Sequence, residues 1–181
     1  MTKTDKLILS LLAVLCTVIG CEDKEIEERL PKDTPKVFLE KLSLTETKSG
    51  QKLWTLTADR AGVYDEIIKA EEVMVRFYDE DETEFSVLNA PRGELNTRTH
   101  NILVTDNVVV VTSDSTILHA DSLFWINDSA KILTDSYVKI MKKDGTVIEG
   151  RGLKTDPRLS RIEVIGEIKG LSPIVLPDIR K

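Results

Sequence analysis

Four stretches of this chain can be laid on one another: Leu56-Thr57-Ala58-Asp59-Arg60-Ala61, Leu88-Asn89-Ala90-Pro91-Arg92-Gly93, Leu118-His119-Ala120-Asp121-Ser122-Leu123 and Ile148-Glu149-Gly150-Arg151-Gly152-Leu153. The small residue recurs at 58, 90, 120 and 150, at spacings of 32, 30 and 30. A second apolar column follows at Val73, Val108, Val138 and Ile168. A third lies at Ile102, Ile132 and Ile162, each 12 residues after its small residue. Recurrence at this length means stacked copies of one supersecondary unit, none of which can bury its apolar face alone. Within each copy apolar and polar residues alternate, which is the period of a strand, and no 3.6-residue apolar stripe is sustained after Pro35. The expectation is an all-β domain of about four units, each of three short strands, with almost no helix. Turn chemistry sits between the runs, at Tyr64-Asp65-Glu66, Asn96-Thr97-Arg98, Asn127-Asp128-Ser129 and Asp156-Pro157-Arg158.

A period of two sorts the side chains. If Leu56 and Ala58 face one side, so do Leu88 and Ala90, Leu118 and Ala120, and Ile148 and Gly150. Thr57, Asn89, His119 and Glu149 then face the other. The stack therefore lines one surface with Leu, Val and Ile interleaved with Ala and Gly, apolar without being bulky. That lining fits a groove left partly open, and it also fits a closed β-sandwich filled by the same side chains; the pattern alone leaves both standing.

The beginning of the chain reads differently. Lys3 and Lys6 precede a 13-residue apolar run at 7–19, shorter than the ~20 residues a bilayer crossing needs and suited to a signal core. Val18-Ile19-Gly20-Cys21 has the form of a bacterial lipobox, in which the cysteine is acylated and becomes the new N-terminus. The expected organisation is a signal peptide at 1–20, a lipidated start and charged linker at 21–36, a β domain at 37–170 and a tail at 171–181. Cys16 would leave with the signal and Cys21 would carry the lipid, so no thiol remains for a disulfide or a metal. Losing Lys3, Asp5 and Lys6 takes the side-chain charge from −6 to −7. Without a basic cluster, no nucleic-acid partner is expected.

The domain resembles the LptC family, the inner-membrane-anchored component of the lipopolysaccharide export bridge. The likeness is carried by Gly50, Trp54-Thr55-Leu56-Thr57-Ala58-Asp59-Arg60-Ala61, Tyr64, Val75-Arg76-Phe77-Tyr78-Asp79, Leu88-Asn89-Ala90-Pro91-Arg92-Gly93-Glu94-Leu95, Asn107-Val108-Val109-Val110, Ala120-Asp121-Ser122-Leu123-Phe124-Trp125, Thr134-Asp135-Ser136-Tyr137-Val138 and Gly150-Arg151-Gly152-Leu153. It covers roughly residues 38 to 170. One departure is the short leader ending in a lipobox, where familiar members carry a transmembrane helix. The resemblance implies a twisted, incompletely closed antiparallel β-jellyroll of the OstA/LptA-like kind, with no catalytic residues and no cofactor. It also implies a groove that shelters the acyl chains of lipopolysaccharide between the LptB/LptF/LptG transporter and LptA, at the periplasmic face of the inner membrane.

On that reading the groove is lined by Trp54, Leu56, Val73, Val75, Phe77, Leu88, Leu95, Val108, Val110, Leu118, Leu123, Trp125, Val138 and Ile140. Burial of methylenes is non-directional, so such a trough lets a lipid slide without a fixed register. An incompletely closed sheet leaves two edges that partners can extend. The strand at 37–45, with Leu42 and Leu44, is expected to meet the transporter. The strand at 161–169, with Ile162 and Val164, is expected to meet LptA. Gly50 and Gly145 are read as positive-φ residues of tight turns.

Two other classes of function bear on the same residues. A polysaccharide hydrolase needs paired carboxylates, one with a displaced pKa. Asp59 and Asp121 share a repeat column, but Pro91 and Arg151 interrupt it. Asp79-Glu80-Asp81-Glu82 reads as a solvated turn, and neither His100 nor His119 has an evident partner nearby in sequence. A structural or binding β-repeat lipoprotein of the outer membrane would use the same strands without the transport role.

Overall fold

A computed structural model describes residues 34–166 and 168–171, which belong to one compact unit that begins at Asp33. The leader, Cys21, most of the linker and nearly all of the tail lie outside the described residues. The strands are β1 (Val37–Lys48), β2 (Gln51–Tyr64), β3 (Ile67–Tyr78), β4 (Glu84–Asn96), β5 (Ile102–Thr112), β6 (Ile117–Ile126), β7 (Lys131–Met141), β8 (Val147–Thr155), β9 (Glu163–Val164) and β10 (Ile168–Leu171). They form one antiparallel sheet in the order β1-β2-β3-β4-β5-β6-β7-β8-β10, with β9 also on β8. Each of the first eight strands pairs with its sequence neighbour, because each connection is short; all but the one at 113–116, between β5 and β6, are among the turns expected above. Gly50 and Gly145 sit in two of them at φ +83° and +85°, and a Cβ added at Gly50 would meet nothing within 4 Å. Both glycines serve the turn.

The repeat is built from two long strands per unit, where the sequence suggests three short ones. Ile102 and Val108, read as belonging to separate strands, lie on one strand, β5. Ile132 and Val138 likewise share β7. The reason is a crease that crosses the whole sheet at mid-strand. Pairing skips Lys41 and Asp59 between β1 and β2, and it slips register between Asn89 and Arg92, Thr105 and Val108, Ala120 and Phe124, and Thr134 and Tyr137. Lys41, Glu72, Asp106, Asn107 and Gly152, all at this line, have φ between +53° and +76°. Such bulges bend a strand and steepen its twist. The C-terminal edge obeys the same crease: the strand expected at 161–169 is split into β9 and β10, joined by a bend in which Gly166 N–H donates to Arg151 O at 2.8 Å.

The crease folds the sheet into two leaves whose inner faces meet. Leaf 1 carries Leu42, Leu56, Val75, Leu88, Val110, Leu118, Ile140 and the tips of the hairpins at 49–50, 80–81 and 143–145. Leaf 2 carries Ala61, Ile68, Leu95, Ile102, Leu123, Ile132 and Leu153, together with the turns at 65–66, 97–99 and 127–130. The alternation read from sequence holds in both. Leu56, Ala58, Leu88, Ala90, Leu118, Ala120 and Gly150 are buried, while Asn89 and His119 are exposed. Phe77 of leaf 1 meets Trp125 of leaf 2 edge-on, with ring centroids 5.0 Å apart.

Candidate functional site

The interior between the leaves is where the expected lining residues lie. Trp54, Leu56, Val73, Val75, Phe77, Leu88, Val108, Val110, Leu118, Val138 and Ile140 come from leaf 1, and Leu95, Leu123 and Trp125 from leaf 2. All fourteen are at most 6% exposed and join one apolar cluster running from β1 to β8. Ile102, Val104, Ile132, Leu153 and Leu159 belong to it too. Ile102 and Ile132 were visible as the third column of the repeat and could have been assigned from it. Val104 and Leu153 carried only the weaker signal of alternation.

In this conformation the interior is filled. The void enclosed by Val75, Phe77, Leu88, Ile102, Val104, Leu123, Trp125 and Ile132 measures about 10 Å³, room for one water at most and not for a hydrocarbon chain. Ser86, on the inner face of β4, is 1% exposed and its hydroxyl has no hydrogen-bond partner. It is the one such orphan among the described residues.

Opposite the crease, the leaves close along a seam held by two clasps. In the first, Asn127 Oδ1 accepts from Trp54 Nε1 at 2.9 Å and from Trp125 Nε1 at 3.3 Å, while Asn127 Nδ2 donates to Glu46 Oε1 at 3.4 Å. His100 Nδ1 lies 3.0 Å from the Glu46 carboxylate, and Asn127 N–H donates to Asn101 Oδ1 at 2.9 Å. Glu46 and Trp54 stand on leaf 1; His100, Asn101 and Asn127 stand at the turns of leaf 2. Asn127 was legible as a turn residue but not as a clasp. The partner of His100 lies 54 residues away, which is why sequence proximity offered none. In the second clasp, the Arg158 guanidinium lies 3.8 Å from the Phe85 ring centroid and 3.6 Å from an Asp79 carboxylate oxygen. Asp156 holds that loop, accepting from the backbone N–H groups of Arg158, Ser160 and Arg161 and from the Ser160 hydroxyl.

The sheet also ends in two unextended edges. Among the described residues no strand pairs with the free side of β1 or of β9 and β10. Leu42 is buried, and Leu44, Ile162 and Val164 are partly buried against the core, so these four face inward. The large apolar side chains exposed along these edges are Val37, 49% exposed, Phe38, 78%, Ile165, 68%, and Ile168, 59%.

The carboxylates with displaced pKa among the described residues, Asp59, Asp65, Asp106, Asp114, Asp144, Glu149 and Asp156, are all displaced downward. Hydrogen bonds are the cause: Lys41 acts on Asp59, Arg92 on Asp106 and the Thr112 hydroxyl on Asp114. A general acid requires the opposite shift. Asp121 and His119 are exposed, and Asp59 is paired with Lys41 at 2.7 Å. No group of three or more His, Cys, Asp or Glu among the described residues is arranged to hold a metal ion.

No curated protein matches the chain. A solved structure, LptH from Pseudomonas aeruginosa, described as the LptA-homologous periplasmic component of the lipopolysaccharide transport device, is 9% identical. The match covers 81% of this chain and 98% of that one, with a TM-score of 0.30, too low for the two folds to be argued from one another. The family model "Lipopolysaccharide-assembly, LptC-related" matches residues 7–172, a span that takes in the apolar run at 7–19 as well as every described strand. A match over nearly the whole length means that this chain belongs to the LptC family and takes part in lipopolysaccharide transport.

Proposed function

We propose that the protein is a non-catalytic lipopolysaccharide relay. It accepts the lipid from the inner-membrane LptB/LptF/LptG transporter, shelters its acyl chains between the two leaves and hands it to LptA. The observation that carries the reading is the apolar interior, continuous from β1 to β8 and bounded by edges on which, among the described residues, no further strand pairs.

Because the interior is filled, an acyl chain enters only if the leaves part. The strands run unbroken through the crease, which holds the leaves together there, whereas the seam is held by side chains alone. Each buried methylene is worth about 0.8 kcal/mol, so ten of them supply about 8 kcal/mol. The clasps, a handful of hydrogen bonds and one partly exposed ion pair, amount to about 3–5 kcal/mol. Lipid contacts would replace side-chain contacts, so apolar surface stays out of water while the leaves separate. The balance favours the loaded, parted state whenever lipid is delivered.

The edges suit strand addition, in which main-chain hydrogen bonds supply the affinity, so the inward-facing Leu42, Leu44, Ile162 and Val164 do not obstruct it. The β1 edge meets the transporter's β domain and the β9–β10 edge meets LptA. Acylation of Cys21 would tether the domain at the periplasmic face of the inner membrane, with one acyl chain marginal and two or more durable.

The test is photo-crosslinking in cells from position 118, which faces the interior, and from 119, which faces out. Lipopolysaccharide adducts at 118 and none at 119 are expected. Adducts at neither, or equally at both, would overturn the reading. A disulfide stapling leaf 1 to leaf 2 across the seam should abolish the adduct at 118.

A further inference from the structure

Charge is spread unevenly along the sheet. Residues 34–130 carry nine Lys and Arg against seventeen Asp and Glu, net −8, whereas residues 131–171 carry nine against six, net +3. The C-terminal end is positive within an acidic chain, and its cations have fewer carboxylates to meet. Among the described residues, Lys131, Lys154 and Arg161 lie within 4 Å of none.

These three cations line one concavity of about 220 Å³, together with Thr155 and Glu163. Ile132 and Leu153 are buried in the interior, so their chain neighbours Lys131 and Lys154 point out of leaf 2. Lys154 stands opposite Leu133 on one side and Glu163 on the other. Lys131 precedes Leu133 by two residues on the same face, a diagonal from Lys154 that long side chains span. Arg161 comes from the loop before β9. Its backbone N–H donates to Asp156 at 3.2 Å, and the same carboxylate accepts from the N–H groups of Arg158 and Ser160, so the loop that delivers Arg161 is fixed. Those donors and the Ser160 hydroxyl occupy both Asp156 oxygens.

Three cations and one carboxylate leave this concavity with an excess of two positive charges. A phosphate monoester carries about −1.5 to −2 at pH 7 and offers three acceptor oxygens, which matches the excess. A guanidinium fork can take two oxygens of such a group while the ammonium groups take the remaining one. The other concavities lack the excess. Arg60 and Arg92, beside Lys69, are already paired with Glu71 and Asp106. Lys52 and Arg158 share their walls with Asp79, Glu80 and Asp81.

We propose that Lys131, Lys154 and Arg161 form a phosphate-monoester site on the outer face of leaf 2, beside the β9 edge. The site lies outside the apolar interior and does not depend on lipid entering between the leaves. A soluble ester and a lipid headgroup present the same group to it.

The experiment titrates isotope-labelled full-length protein at constant ionic strength and follows the amide shifts of 131, 154 and 161. The probes are glycerol 3-phosphate, dihexanoyl phosphatidic acid below its micelle concentration, and dihexanoyl phosphatidylcholine as a lipid without a monoester. Saturable shifts with the first two are expected. Lys131→Gln, Lys154→Gln and Arg161→Gln should each weaken binding by about tenfold, the loss of one hydrogen bond to a charged group. Glu163→Gln should tighten it, and Lys142→Gln, at a hairpin tip of leaf 1, should leave it unchanged. Equal affinity for the two esters would assign the site to the phosphate group alone, and tighter binding of phosphatidic acid to a lipid headgroup; both keep the proposal. Shifts that do not saturate would overturn it. So would an equal loss from Lys142→Gln, which marks a diffuse field, or phosphatidylcholine binding as tightly as phosphatidic acid.

Discussion

Asn127 offers the sharpest test of the seam, because both tryptophans of the chain donate to its one side-chain oxygen. Trp54 is 2% exposed and Trp125 6%, so Asn127→Ala takes the acceptor from the indole N–H groups of two buried side chains. An unsatisfied buried donor costs about 1–3 kcal/mol. The Trp125 bond is the longer at 3.3 Å and belongs at the low end, and the link to Glu46 is lost as well. The expected destabilisation is about 2–4 kcal/mol. With a urea m-value of about 2 kcal/mol/M, the midpoint falls by about 1–2 M. Indole emission is the assay, since it reads both the global transition and the clasp itself. In buffer, before unfolding begins, Asn127→Ala should show red-shifted emission and greater acrylamide quenching than the parent. Leu118→Ala, which opens a cavity but leaves the acceptor of both indoles in place, should lower the midpoint comparably while leaving native emission unchanged. The reasoning fails if Asn127→Ala unfolds within about 0.5 kcal/mol of the parent with unchanged emission and quenching, for then the clasp holds nothing.

The remaining expectations are smaller or more local. Ile140→Ala, at a fully buried position on β7, should cost about 2–5 kcal/mol in chemical denaturation, near the low end if the leaves settle around the deletion. Ser86→Ala removes the buried orphan hydroxyl and should leave stability unchanged or raise it by about 1 kcal/mol; a loss above that would mean the hydroxyl has a partner. The Asp156 carboxyl feels burial that pushes its pKa up, outweighed by the Ser160 hydroxyl and the N–H groups of Ser160, Arg161 and Arg158, so it ends below its usual 3.8. A lowered folded-state pKa stabilises above the unfolded value and is lost as pH falls through the folded one. Asp156→Asn should therefore flatten the acid limb of the stability profile below about pH 4, by about 1 kcal/mol or less given its exposure to solvent. At the C-terminal edge, cysteines at 165 or 168 should form disulfides with cysteines placed on LptA more readily than one at 164, whose side chain packs inward. The reverse order would refute edge pairing in this register.

The alternation of single residues settled much of this molecule before any folding. Because a strand's side chains face alternate sides, Leu56, Leu88, Leu118 and their neighbours had to share a face, and all fourteen candidate lining residues do lie in the common interior. The turns were legible for a similarly local reason: Asn, Asp, Gly and Pro sit where the chain reverses. Whether that interior is a trough or a packed core was not legible, since Leu, Val, Ala and Gly line either one equally well. The answer depends on how closely two leaves approach, and that distance is set by the crease.

The crease is itself a tertiary event. Its residues, Lys41, Glu72, Asp106 and Asn107, are ordinary polar residues forced to positive φ because every neighbouring strand bends on the same line. Lys41 and Glu72 carry no local signal for this; Asp106-Asn107 and Gly152 tolerate positive φ but read equally well as turns, so the long strands read as pairs of short ones. The clasps are further still from local reading, joining Glu46 to His100 and Trp54 to Asn127 across 54 and 73 residues. The sequence by itself determined which side chains are apolar partners and where the chain turns, because both follow from chemistry within a few residues. Only the tertiary structure decided that the sheet folds once along its middle, that its interior is closed in this state, and where it would open, because those depend on contacts between segments that are neighbours in space alone.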